Sequence, residues 1–172
     1  MTTTEPGLPL PAPGAVPQAN RHQQNGKPAV ILLVEDDLGD QELTRRALTQ
    51  WKIRNDLYVV QDGEEALDYL LRRGRYAHPI TSPTPHLVLL DLNLPKLDGR
   101  QVLQRIREEP ALRGLVVVVL TTSKEEMDVL RSYSLGVNSY LTKPMTIQHF
   151  IQIVRALEHY WFQIVVLPPT PR

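Results

Sequence analysis

The chain has 172 residues, with 19 Lys and Arg against 19 Asp and Glu, a formal net charge of zero and no cysteine. That length holds one ordinary domain with a real core, and the neutral balance offers no bulk attraction to nucleic acid or to a membrane surface. The missing cysteines exclude disulfides and thiolate metal sites. The N-terminus lacks a basic region followed by an apolar one, and no apolar run approaches the roughly 20 residues that cross a bilayer. A cytoplasmic protein is therefore expected.

Met1 to about Lys27 is rich in Pro, Thr, Gln and Gly without apolar periodicity. Such a segment cannot bury enough surface to offset its ordering entropy, so residues 1–27 read as a disordered tail. Ala29 to Val34 is a continuous apolar run, the pattern of a strand buried on both faces, and it ends in Glu35, Asp36 and Asp37. Leu43, Ala47, Leu48 and Trp51 lie at helical spacing and predict a helix from Leu38 to Trp51, with Asp40 and Glu42 suited to the dipole at its start. A second strand is expected over Leu57–Gln61, and a second helix over Gly63–Leu71 with Ala66, Leu67, Leu70 and Leu71 as its stripe.

Arg72 to Pro85 reads as a longer connection, with three prolines and Gly74. The third strand, His86 to Asp91, places an acid directly after four apolar residues. Pro95 and Gly99 mark a loop, and Val102, Leu103 and Ile106 predict a helix over Arg100–Glu109. Leu115 to Leu120 is a fourth strand, ending at Thr121. Ser123 with Glu126 forms a capping-box pattern and starts another helix. A short fifth strand, Asn138–Leu141, ends at Thr142, Lys143 and Pro144, and a last helix begins near Thr146. Five apolar strands alternating with five helices predict a doubly wound α/β fold around a parallel sheet.

In such a sheet, ligands bind outside the carboxyl ends of the strands. Strand order 2-1-3-4-5 brings Glu35, Asp36 and Asp91 within a few ångströms, beside Thr121 and Lys143. Taken singly, each acid reads as a solvated loop charge or a helix cap. Jointly, carboxylates so close resist ionising together, and a hard divalent cation such as Mg²⁺ resolves the conflict. A carboxylate can attack a phosphoryl group, and Lys143 and the cation would neutralise the phosphoryl oxygens. Thr121 can donate a hydrogen bond to the attached group.

Val34-Glu35-Asp36, Leu90-Asp91-Leu92-Asn93-Leu94-Pro95 with Asp98-Gly99, Leu120-Thr121-Thr122 and Tyr140-Leu141-Thr142-Lys143-Pro144 together resemble the response-regulator receiver domain of two-component signalling. The resemblance implies a flavodoxin-like receiver domain over 28–160 that takes phosphate from a sensor histidine kinase on Asp91. It also implies Glu35, Asp36, Asp91 and the Asn93 carbonyl as the Mg²⁺ ligands. Thr121 and Tyr140 become the switch pair, and Lys143 the family lysine. Asp36 and Asp37 are an alternative acidic pair; Glu35 and Asp36 are preferred because the first acid then follows the strand directly. The helix Glu42-Leu43-Thr44-Arg45-Arg46-Ala47-Leu48, the long connection, and the ending Tyr160-Trp161-Phe162 to Leu167-Pro168-Pro169 further resemble the small single-domain regulators that partner bacterial phytochromes.

Three other readings compete. A degenerate receiver could dock without phosphate, but the set of acids, Thr121 and Lys143 is intact. A phosphatase resembling haloacid dehalogenases needs a second Asp as general acid where this chain has Asn93. A flavin binder would find its phosphate repelled by the acidic crevice. The chain after Leu157 is too short for a helix-turn-helix, so no nucleic-acid partner is expected, and none in the membrane. Ile153, Tyr160, Trp161, Phe162 and Ile164 widen the apolar arc of the last helix beyond one sheet contact. The tail folding back on its own domain is one explanation; a homodimer through that helix and an arm of residues 161–172 is the preferred one, because monomers seldom expose large contiguous apolar patches.

Overall fold

In the computed structural model, the described residues are 28–50, 55–126, 128, 136 and 139–143. The expected tail, the last helix and the arm, with Ile153, Tyr160, Trp161, Phe162 and Ile164, lie outside them.

The apolar runs become strands β1 (Ala29–Val34), β2 (Asn55–Val60), β3 (Leu87–Asp91), β4 (Val116–Thr121) and β5 (Ser139–Thr142). They pair in parallel in the order β2-β1-β3-β4-β5. Between them run helices α1 (Leu38–Gln50), α2 (Gly63–Leu70) and α3 (Gly99–Glu108), and residues 124–126 are helical after β4. Successive strand side chains alternate between faces, so the sheet feeds two cores. Leu32, Val34, Val88, Leu90, Val117 and Val119 meet Ala66, Tyr69 and Leu70 of α2 and Val102, Leu103 and Ile106 of α3. Ile31, Leu33, Leu87, Leu89, Val118 and Leu120 meet Ala47 and Leu48 of α1. The continuous apolar composition of β1, β3 and β4 is thus the signature of a sheet covered on both sides.

Some boundaries differ from the sequence reading. β2 begins two residues earlier, at Asn55, and stops at Val60. The Gln61 N–H donates to the Glu65 carboxylate at 2.8 Å. α1 turns the polar Gln41 and Thr44 inward, each tied by its side chain to a backbone carbonyl, Glu35 for the first and Asp40 for the second. Tyr69 joins the α2 stripe because its ring is buried while its hydroxyl donates to the Pro83 carbonyl at 2.9 Å.

The start of α3 positions the site. The Asp98 carboxylate accepts from the Arg100 N–H at 2.7 Å, and the Gln101 side chain accepts from the Asp98 N–H at 3.2 Å. Gly99 follows, and its N–H donates to the Leu92 carbonyl at 2.9 Å. A Cβ there would lie 2.2 Å from the Asp91 carbonyl oxygen. Only glycine lets the helix start press so closely against the end of β3.

Candidate functional site

All five strands are parallel, so their carboxyl ends share one edge. β1 delivers Glu35 and Asp36, and its neighbour β3 delivers Asp91. One carboxylate oxygen from each of the three lies within 4.8 Å of the others. Glu35 is 1% exposed and Asp91 5%, whereas Asp36 is exposed. Asp37 stands apart from this set: it caps α1, accepting from the Asp40 N–H at 2.8 Å. That geometry separates the two acidic pairs left open by the sequence and brings Glu35 and Asp36 to Asp91.

Lys143 enters from the end of β5. Its ammonium donates to Glu35, to Asp40 at 2.8 Å and to Asp91 at 3.0 Å. Burial alone would lower the Lys143 pKa; the hydrogen bonds to Asp40 and Glu35 and the charge of Asp91 outweigh it and hold the ammonium charged. Glu35 moves the other way. Its burial, the largest effect, pushes the carboxyl up to about 7 against the hydrogen bonds from Lys143 and the Asp37 N–H, with the charge of Asp91 adding to the rise. Asp91 spends one oxygen on Lys143 and the other on the Asn93 N–H at 3.0 Å.

An oxygen-only donor set with a buried carboxyl that resists ionisation fits a hard divalent cation, which would neutralise the cluster. Asn93 is exposed beside it, and its side-chain amide reaches Thr122 at 3.5 Å and Glu126 at 3.4 Å.

Thr121 is fully buried at the end of β4, one register position beyond the partner of Asp91. Its hydroxyl donates to the Glu126 carboxylate and accepts from the Ser123 N–H at 3.3 Å. Tyr140 sits further back on β5, paired with Val119 and packed half-buried against the core shared with α2 and α3. The capping box forms only in half. Ser123 Oγ accepts from the Glu126 N–H at 3.1 Å, but the Glu126 carboxylate turns to Thr121 and the Thr122 N–H. Two acids were therefore read by sequence as helix-start charges and prove to touch site residues: Asp40 on Lys143 and Glu126 on Thr121. Their signal was their position in the first turn of helices that begin at the carboxyl edge.

A buried parallel-sheet aspartate, flanked by two acids, a lysine and a hydroxyl, is the arrangement of one protein class. The family profile of the response regulator receiver domain matches residues 31–155, and the chain belongs to that family. Response regulator Rcp1 of Synechocystis sp. is 44% identical over 145 residues, covering 84% of this chain and 97% of Rcp1. Two solved structures extend the likeness. The phosphorylated cyanobacterial phytochrome response regulator RcpA aligns with a TM-score of 0.73 at 42% identity, over 82% of this chain and 99% of RcpA. The Mn²⁺-bound form of Rcp1 aligns with a TM-score of 0.71 at 45% identity, over 82% of this chain and 99% of that one. Among the described residues, no helix is long and apolar enough to cross a membrane.

Proposed function

We propose that the chain is a cytoplasmic response regulator of the phytochrome-associated type, phosphorylated on Asp91 by a sensor histidine kinase. The observation that carries this is the Asp91 carboxylate, 3.0 Å from the Lys143 ammonium and clustered with Glu35 and Asp36. The likeness to Rcp1 and RcpA over nearly their whole lengths supports the phytochrome kinase as donor.

An Asp91 oxygen attacks the phosphorus of the kinase phosphohistidine. The P–N bond breaks, its electron pair stays on the imidazole nitrogen, and the imidazole takes a proton from solvent. Asp91 attacks as the ionised carboxylate, so no general base is required. Lys143 is positioned to neutralise charge on the phosphoryl oxygens. Asp36, Asp91 and the Asn93 carbonyl, with Glu35 acting through water, would hold Mg²⁺, which would supply further charge neutralisation at those oxygens. The Thr121 hydroxyl then moves to the phosphoryl group, and Tyr140 fills the space it leaves. Hydrolysis returns Asp91 and inorganic phosphate, so the chemistry is confined to the protein's own carboxylate and there is no separate substrate. Output is by protein contact, through a homodimer built from the last helix and the arm of residues 161–172.

Incubation with acetyl phosphate and Mg²⁺, followed by intact mass measurement, tests the assignment. One base-labile phosphoryl group is expected on the wild-type chain, and none on Asp91→Asn or in excess EDTA. A full mass increase in Asp91→Asn would overturn the role of Asp91.

A further inference from the structure

Glu126 is absent from the acidic cluster around Asp91, yet its carboxylate collects four donors. They are the Thr121 hydroxyl, the Thr122 N–H at 3.2 Å, the Thr122 hydroxyl at 3.4 Å and the Asn93 amide at 3.4 Å, and the Arg100 guanidinium forms an ion pair with it at 3.6 Å. Its own N–H is fixed by Ser123 Oγ, so the carboxylate is held at the first turn of the helix after β4. A threonine hydroxyl carries one hydrogen and serves one strong acceptor at a time. In this structure two acceptors lie within reach of that hydrogen, the Glu126 carboxylate and the Ser123 carbonyl at 3.2 Å, and the charged carboxylate is the stronger. A phosphoryl group on Asp91 can claim it only if Glu126 gives it up. The other three donors stay with Glu126 when Thr121 leaves, so the carboxylate is not stranded, and the exchange connects two satisfied arrangements.

We infer that Glu126 is a positioning residue that latches Thr121 in the unphosphorylated arrangement, so phosphorylation is sensed as a contest for one hydroxyl hydrogen. The inference rests on the Asp91 phosphoacceptor reading above and adds the group against which the phosphoryl must compete.

The test is titration of the full-length chain with beryllofluoride and Mg²⁺, read by NMR at Thr121, in wild type, Glu126→Gln and Glu126→Ala. The latch predicts beryllofluoride binding roughly tenfold tighter in Glu126→Ala, the size of one charge-assisted hydrogen bond, and a smaller gain in Glu126→Gln. It also predicts that the Thr121 resonance of untreated Glu126→Ala moves toward its beryllofluoride-bound position. A purely structural Glu126 would lower the melting temperature without tightening binding. Unchanged or weaker binding, with Thr121 unmoved, overturns the latch while the phosphoacceptor reading stands. A wild-type chain that ignores beryllofluoride overturns both. If Glu126→Ala does not fold, the isosteric Gln variant decides by the same criteria.

Discussion

Lys143 divides its ammonium hydrogens among Glu35, Asp40 and Asp91, so its removal leaves carboxylates facing one another in a poorly solvated site. Breaking a buried pair from one side costs about 3 kcal/mol, and Lys143→Met is expected to lose about that much stability. Part of the loss should return on adding Mg²⁺, which urea unfolding with and without the cation will show. Glu35 makes the site sensitive to pH. Its carboxyl is raised from 4.5 to about 7, first by burial, so between these values the folded state binds a proton that the unfolded state does not. Stability of the metal-free chain therefore rises as pH falls from about 7 toward 4.5, whereas cation binding needs the ionised form. The increase in melting temperature caused by Mg²⁺ is expected to shrink as pH drops from about 8 to about 6; a constant increment would exclude Glu35 from cation binding. Glu35, Asp36, Asp91, Thr121 and Lys143 were legible because a parallel sheet sends every strand end to one edge. Asp40 and Glu126 were not, because a sequence does not say which way a carboxylate in the first turn of a helix swings.

At the scale of elements, the sheet and the start of α3 are locked by the contact at Gly99. Its hypothetical Cβ would overlap the Asp91 carbonyl at 2.2 Å and the Leu92 Cα at 2.7 Å. The obstruction is backbone, so Gly99→Ala must push α3 or the end of β3 aside. Overpacking of this kind costs roughly 1–3 kcal/mol, and here the shift also displaces Asp91. Acetyl phosphate labelling of Gly99→Ala is expected to slow well beyond what its loss of melting temperature explains. β1 was legible to the residue because a charge run ends it sharply. β2 was not: its first residues, Asn55 and Asp56, are polar at the sheet edge, where β1 pairs with them along one side. Tyr69 escaped the α2 stripe because a tyrosine can be core at the ring and polar at the tip.

For the whole molecule, the proposed dimer is the main quantity to measure. Its support is the apolar sequence of the segment expected to form a last helix and an arm, including Ile153, Tyr160, Trp161, Phe162 and Ile164. A two-fold assembly is the commonest closed arrangement for such a surface. A chain ending before Trp161 is expected to sediment as a monomer and still take phosphate on Asp91. A full-length chain that sediments as a monomer at micromolar concentration, with and without phosphate, would exclude the dimer.

The bond from Lys143 to Glu35 joins residues 108 positions apart, and the one to Asp91 spans 52. During synthesis the acids of β1 and β3 leave the ribosome long before the lysine that balances them. Every partial chain that lacks β5 carries the acidic edge uncompensated. A divalent cation would be one counter-charge able to fill that place until the lysine arrives. β5 is the last of the five strands to be synthesised, so a nascent chain gains the lysine of its acidic edge only after the other four strands have been made.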